Sequence, residues 1–234
     1  MSVDRLLEAL AQRPASTGVA NPYAGPGASA RLRNLRAYLG AVAGGFETGG
    51  PRVLLVGEAP GYRGCAVTGV PFTSRQVLAS GVEVGRWGLF PAGEFEAGEA
   101  LGRPWAEATA TLVWRHLPGA LASLPGPPLL WNAFPFHPYA LVEGGEGGTN
   151  RGLARAEREE GVRYLRLVLD LFPGGRAVAV GRVAAGALAR VGVRPLAVLR
   201  HPAHGGATRF AEGLHQAGAA LRPDTISTGP PATR

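Results

Sequence analysis

The sequence predicts an α/β fold: a three-layer αβα sandwich with a central, mostly parallel four-stranded sheet. Three observations carry that prediction. Apolar runs of strand length recur at 52–56, 129–133, 176–180 and 195–199, and such runs read as strands buried on both faces. Segments with helical spacing of apolar residues alternate with them, as in parallel sheets joined by crossover helices. Three of the runs also end in turn-forming residues, Gly57-Glu58-Ala59-Pro60-Gly61, Asn132-Ala133-Phe134-Pro135 and Arg200-His201-Pro202. Open α/β sheets bind their ligands outside the carboxyl ends of the strands. Parallel strands therefore bring Glu58, Asn132 and His201 to one rim.

The elements follow in chain order. Leu6, Leu7 and Leu10 lie at helical spacing and predict a short helix over 3–12. Residues 14–29, rich in Gly, Pro, Asn and Ser, read as loop. A helix follows over 30–42, with Ser29 as its cap. The first strand and its turn come next, and a short helix opens near Ser74 and runs over 74–79. Residues 81–102 read as irregular and surface-like. Pro104 marks the start of a helix over 104–117. Beyond the second strand, 143–150 is a glycine-rich loop, readable as a spacer or as a substrate contact. The plainest helix covers 152–172, with a charged face and with Leu165, Val168, Leu169 and Leu171 as its apolar surface. Small residues at 183–191 predict a helix that packs close to the sheet, and the last helix spans 207–221. The expected organisation is a single domain over 1–221 and a frayed tail over 222–234.

Composition bounds the chemistry. A chain of 234 residues that is 46% hydrophobic can bury a full core. All 24 basic residues are arginine, so no lysine amine is present for Schiff-base catalysis or for a phosphate loop. The net charge of +7 points to a polyanionic partner, most simply nucleic acid. A single cysteine, Cys65, forms no intramolecular disulfide and cannot supply a four-thiolate metal or iron–sulfur site. It reads as a small packing residue. No metal site is expected: the pair His201 and His204 has no acidic or thiol ligand nearby in sequence. No signal-peptide stretch and no run of membrane-span length is present, so a soluble, cytoplasmic protein is expected.

Three motifs stand in order, each behind a predicted strand: Gly57-Glu58-Ala59-Pro60-Gly61 with Gly69-Val70-Pro71-Phe72-Thr73-Ser74 after it, then Trp131-Asn132-Ala133-Phe134-Pro135, then His201-Pro202-Ala203-His204-Gly205-Gly206. Together they resemble the uracil-DNA glycosylase superfamily, most closely its branch with a Gly-Glu-Ala-Pro-Gly first motif, over residues 52–214. The resemblance implies cleavage of the bond between an extruded base and its sugar. It implies a substrate site at Gly57, Ala59, Phe72 and Asn132. Phe72 offers a flat face for stacking, with ordinary core packing as the other reading. Asn132 carries donor and acceptor on one amide, suited to the O4 and N3–H of uracil, with a local turn bond as the other reading. His201 would stabilise the departing base as negative charge appears on it, or bond a turn carbonyl. Glu58 would orient the attacking water or brace the turn.

Around the same rim, Arg63 and Arg209, the amides at Thr73, Ser74 and Arg75, and His204, Gly205 and Gly206 are candidate DNA contacts. Two departures from the branch stand out. Its iron–sulfur cluster needs four cysteines, so this chain resembles a cluster-free relative. The best-known superfamily branch has an Asp where this chain has Ala59. The expectation is a monofunctional uracil-DNA glycosylase acting on DNA as a monomer without a cofactor. A DNA-binding module weakened by Ala59, and a glycosylase for another damaged base, stay open beside it.

Overall fold

The computed structural model describes residues 2–46, 51–80, 87, 89–90, 95–97, 106–140, 149–203 and 205–222. Four strands form the central sheet: β2 (Val53–Gly57), β3 (Leu129–Asn132), β5 (Arg176–Val180) and β6 (Ala197–Leu199). Their order is β3-β2-β5-β6 and every pairing is parallel. All residues of β2 and β3 are buried, as their unbroken apolar runs require of strands covered on both faces. The expected fold class is thus found, with the sheet wholly parallel.

The helices are α1 (Val3–Ala11), α2 (Ala28–Phe46), α3 (Cys65–Thr68), α4 (Arg75–Ser80), α5 (Ala108–Ala120), α6 (Arg155–Leu171), α7 (Arg182–Arg190) and α8 (Ala207–Ala219). One group packs α5 with α4 and α8, and the other packs α6 with α7 and α1. The chain leaves β2 toward β3 at one edge and leaves β5 toward β6 at the other. Right-handed crossovers place these two connections on opposite faces. The exits of β2 and β5 therefore diverge, which is where a ligand crevice opens in such sheets.

Several boundaries differ from expectation. Helix α2 begins at Ala28, so Ser29 lies inside it and caps nothing; Gly25 and Gly27 at positive φ turn the chain into the helix. Helix α5 begins at Ala108, because Glu107 caps it by accepting from the N–H groups of Thr109 and Ala110 at 2.9 and 2.6 Å. Pro104 lies outside the described residues, and the helix tolerates Pro118 near its end. The supposedly surface-like stretch contains Leu89 and Phe90, both buried. The Phe90 ring lies edge-on to Phe95 and Trp114 and stacks with Tyr38. A two-stranded antiparallel ladder, unforeseen, joins β1 (Val19–Ala20) to β4 (His137–Pro138). Most of the glycine-rich loop and residues 223–234 of the tail lie outside the described residues. No helix among the described residues is long and apolar enough to cross a membrane.

Candidate active site

Parallel register places Gly57 directly opposite Asn132 at the carboxyl ends of β2 and β3. The two exits are then stitched together. Ala133 N–H donates to the Gly57 carbonyl at 2.8 Å, and Phe134 N–H donates to the Glu58 carbonyl at 3.0 Å. His137 Nδ1 lies 2.8 Å from the Pro60 carbonyl oxygen, tying β4 to the same turn. Helix α6 presses on this segment through Gly161, where a methyl group would collide with the Ala133 carbonyl. The turn after β2 and the turn after β3 form one braced unit.

Gly57 is where that unit meets the aromatic ring. A Cβ placed on Gly57 would lie 2.5 Å from Phe72 Cζ and 3.1 Å from Asn132 Oδ1. The ring, the amide and the backbone of the first motif therefore converge, and glycine is what permits it. Phe72 is half-buried and adopts φ +55°, a left-handed conformation costly for a bulky residue. Two contacts fix its surroundings. Trp114 Nε1–H donates to the Phe72 carbonyl at 2.9 Å, and the next hydroxyl, Thr73 Oγ1, donates to the Val70 carbonyl at 2.6 Å.

Asn132 is only 4% exposed. Its Nδ2–H donates to Cys65 Sγ at 3.7 Å, and its Oδ1 accepts from no described residue. Burial pushes the Cys65 thiol up to about 12, so the sulfur keeps its proton. The contact to Asn132 was not legible in the sequence, where 67 residues separate the pair.

Glu58 is half-buried, and its Oε1 accepts from Leu153 N–H at 3.3 Å. Nearby, Tyr62 N–H donates to Asn150 Oδ1 at 3.1 Å. The first motif thus draws in the segment before α6. Arg151 holds that segment down through Glu157, at 2.6 and 2.8 Å, and through the Gly18 carbonyl at 2.8 Å. Ala59 is half-buried and offers no carboxylate.

His201 leaves β6 at the same rim, but from the opposite edge of the sheet from Asn132. Three strand spacings of about 4.8 Å separate those edges. Its Nδ1 accepts from Ala203 N–H at 3.1 Å. In a neutral imidazole the proton then sits on Nε2, the nitrogen with which the ring would donate. Gly206 is buried, and a side chain there would strike the His201 carbonyl. Its close approach is to its own loop, which corrects the expectation that it opens that approach to DNA. Gly205, at φ +74°, is exposed, and a Cβ built on it would meet no described atom within 4 Å.

The remaining expected DNA contacts divide. Arg63 and Arg209 are exposed, and the Arg63 guanidinium lies over the Tyr62 ring at 5.2 Å. Thr73, Ser74 and Arg75 are buried. Thr73 bonds within its turn, Ser74 Oγ accepts from Val77 N–H to cap α4, and Arg75 Nε donates to the Ala97 carbonyl at 2.8 Å. The side chains of all three are thus engaged within the protein, and what they retain for an external ligand is the backbone, as the sequence reading expected of a helix start. His204 lies outside the described residues.

No protein-family model matches the sequence, and no curated protein matches it. Comparison of folds does find a counterpart. The crystal structure of wild-type SMUG2 from Pedobacter heparinus matches with a TM-score of 0.67 at 14% identity, covering 94% of this chain and 97% of that one. The chain therefore has the fold of SMUG2 along nearly its whole length.

Proposed function

We propose that this protein is a monofunctional DNA glycosylase that hydrolyses the N-glycosidic bond of uracil in DNA and leaves an abasic site. The observation that carries this reading is the convergence of Gly57, Phe72 and Asn132 at the carboxyl rim of a SMUG2-like fold. Extruding a base costs a few kcal/mol, which stacking and edge recognition must offset. Phe72 supplies the stacking face. Asn132 supplies an amide acceptor for N3–H and a second Nδ2–H for O4; cytosine presents the reverse pattern. Gly57 and Ala59 keep the floor of the site small.

The bond from the sugar to uracil N1 breaks with its electron pair passing to the base. Negative charge spreads onto the uracil oxygens while the sugar gains oxocarbenium character. His201, donating from Nε2, stabilises that charge as it forms. A water then adds to C1′, and the proton it releases offsets the negative charge left on the departed uracil, directly or through solvent. Glu58 stands beside the turn with one oxygen engaged by Leu153, so it braces the site and orients the water from the other. Hydrolysis of this kind calls on no cofactor, and the absence of lysine leaves no side-chain imine route to strand cleavage. The partner is DNA carrying the damaged base, bound by a monomer in the cytoplasm.

Ala59 favours one second reading, a weakly active or inactive DNA-binding module on the same scaffold. A labelled oligonucleotide with a single uracil, incubated with the protein and then treated with alkali, separates the two. Scission that appears only after alkali is the expected result. Gel retardation without scission would replace the enzyme with the binding module, and scission confined to another damaged base would move the specificity.

A further inference from the structure

The buried group behind Asn132 has no part in the reaction just described. Cys65 is 4% exposed and Tyr23 1%. Tyr23 Oη–H donates to the Gly69 carbonyl at 3.0 Å, and Gly69 sits at φ +78° against the backbone of Arg31. With its hydrogen committed there, the Tyr23 oxygen is an acceptor for the Cys65 S–H at 4.0 Å. The sulfur lone pairs then face Asn132 Nδ2–H at 3.7 Å. Every hydrogen in this row points the same way, from amide to thiol to phenol to carbonyl.

We infer that Cys65, backed by Tyr23, is a positioning residue that fixes the polarity of the Asn132 amide, holding Nδ2 inward and turning Oδ1 toward Gly57 and Phe72. Which face an asparagine amide presents is set by the hydrogen-bond network around it. One that is locked with oxygen outward, its second Nδ2–H beside it, matches a base that sets a ring N–H opposite the oxygen and a carbonyl opposite the N–H. The class that fits is lactam and imide bases, uracil among them; cytosine, with an unprotonated ring nitrogen, meets oxygen with oxygen-like lone pairs. Burial, by keeping the thiol protonated, keeps the row intact through the neutral and mildly alkaline range. This inference rests on the proposed glycosylase reading for its consequence, and on geometry alone for the amide.

Two readouts test it, one of which needs no activity. Hydrogen exchange of the Asn132 side-chain amide is followed by NMR, the signal being assigned by its loss in Asn132→Asp. Excision of uracil is compared with excision of cytosine in otherwise identical oligonucleotides. In Cys65→Ala the amide should exchange about fivefold faster and the uracil preference should fall by about fivefold. Cys65→Val, which fills the volume without a lone pair, should behave alike and serves if the alanine variant folds poorly. Cys65→Ser, whose hydroxyl both accepts and donates, should stay within about twofold of wild type in both readouts. Unchanged exchange in the alanine and valine variants overturns the inference. So does faster exchange with unchanged base preference, because the amide would then be held for no purpose in recognition. Wild-type protein that excises no base while its amide responds as expected would sink the glycosylase reading and leave the row of hydrogen bonds standing.

Discussion

Asn132 and His201 leave parallel strands at opposite edges of one sheet, and their surroundings differ. Around Asn132 the strand is fully buried, the turn after β3 donates two backbone hydrogen bonds to the turn after β2, α6 presses on the exit through Gly161, and a buried thiol takes the amide hydrogen. Around His201 the strand has three residues, of which Val198 is 53% exposed, and the described side-chain bond of the imidazole runs to Ala203 in its own loop. An open groove lined by Leu196, Val198, Gly213 and Gln216 runs along that edge between β6 and α8. The side assigned to base recognition is assembled as the core folds. The side assigned to the departing base is mounted on the rim, where it can change without disturbing the core. Recognition needs fixed geometry before the base arrives, and in His201 the orientation of the donor is set locally, by the Ala203 N–H on its Nδ1, rather than by the core.

That contrast predicts a separation of activity from stability. His201→Ala should slow uracil excision on the order of 100-fold, with the melting temperature within about 2 °C of wild type. Single-turnover excision and thermal denaturation of the same preparation make the comparison. Unchanged excision would remove His201 from the mechanism, and a large loss of stability would show that the two edges are not as different as their packing indicates.

How much of this was legible in the sequence follows the same divide. The four strands are readable because burial on both faces leaves an unbroken apolar run, and the rim residues Glu58, Asn132 and His201 follow from strand ends that stop in turn chemistry. Phe72 is legible as a turn aromatic, but its positive φ and the Trp114 bond that supports it come from a contact 42 residues away. The ladder of β1 and β4 has two residues per strand, too short to show alternation. Phe90 sits among glycines and reads as surface, and only the rings of Tyr38, Phe95 and Trp114 around it reveal the core there. Arg75 is legible only as a residue at a helix start, because sequence cannot show that its guanidinium reaches the Ala97 carbonyl. Side chains that act through a distant partner are invisible to local pattern; those at strand ends are not.

A second variant strikes the recognition side directly. Gly57→Ala places a methyl 2.5 Å from Phe72 Cζ and 3.1 Å from Asn132 Oδ1. The ring and the amide must separate, so excision should fall on the order of tenfold and stability by about 1–3 kcal/mol, the usual cost of overpacking. Here activity and denaturant stability should fall together, in contrast to His201→Ala. A Gly57→Ala protein as stable and as active as wild type would mean that the convergence is loose.

The smallest expected effect concerns the bracing of the segment before α6. Glu157 accepts from both Arg151 guanidinium nitrogens and from Ala154 N–H at 2.7 Å, the N–H preceding the helix. The hydrogen bond from Arg151 is the main cause that holds its carboxyl below the ordinary value, and burial works against it. Because the folded value is depressed, the folded state binds this proton less readily than the unfolded chain. The stabilisation is therefore fully present above the unfolded value of about 4.3, and it is lost as pH falls through that value toward the folded one. Thermal denaturation between pH 7 and pH 3.5 should show wild type losing its advantage over Glu157→Gln on acidification, with a difference at neutral pH on the order of 2 °C. His201→Ala should leave that difference untouched, since its loop shares none of these contacts. If Glu157→Gln matched wild type at every pH, the segment carrying Leu153 and Asn150 would be held by its packing and its other hydrogen bonds, and the recognition side would owe its order to those rather than to this ion pair.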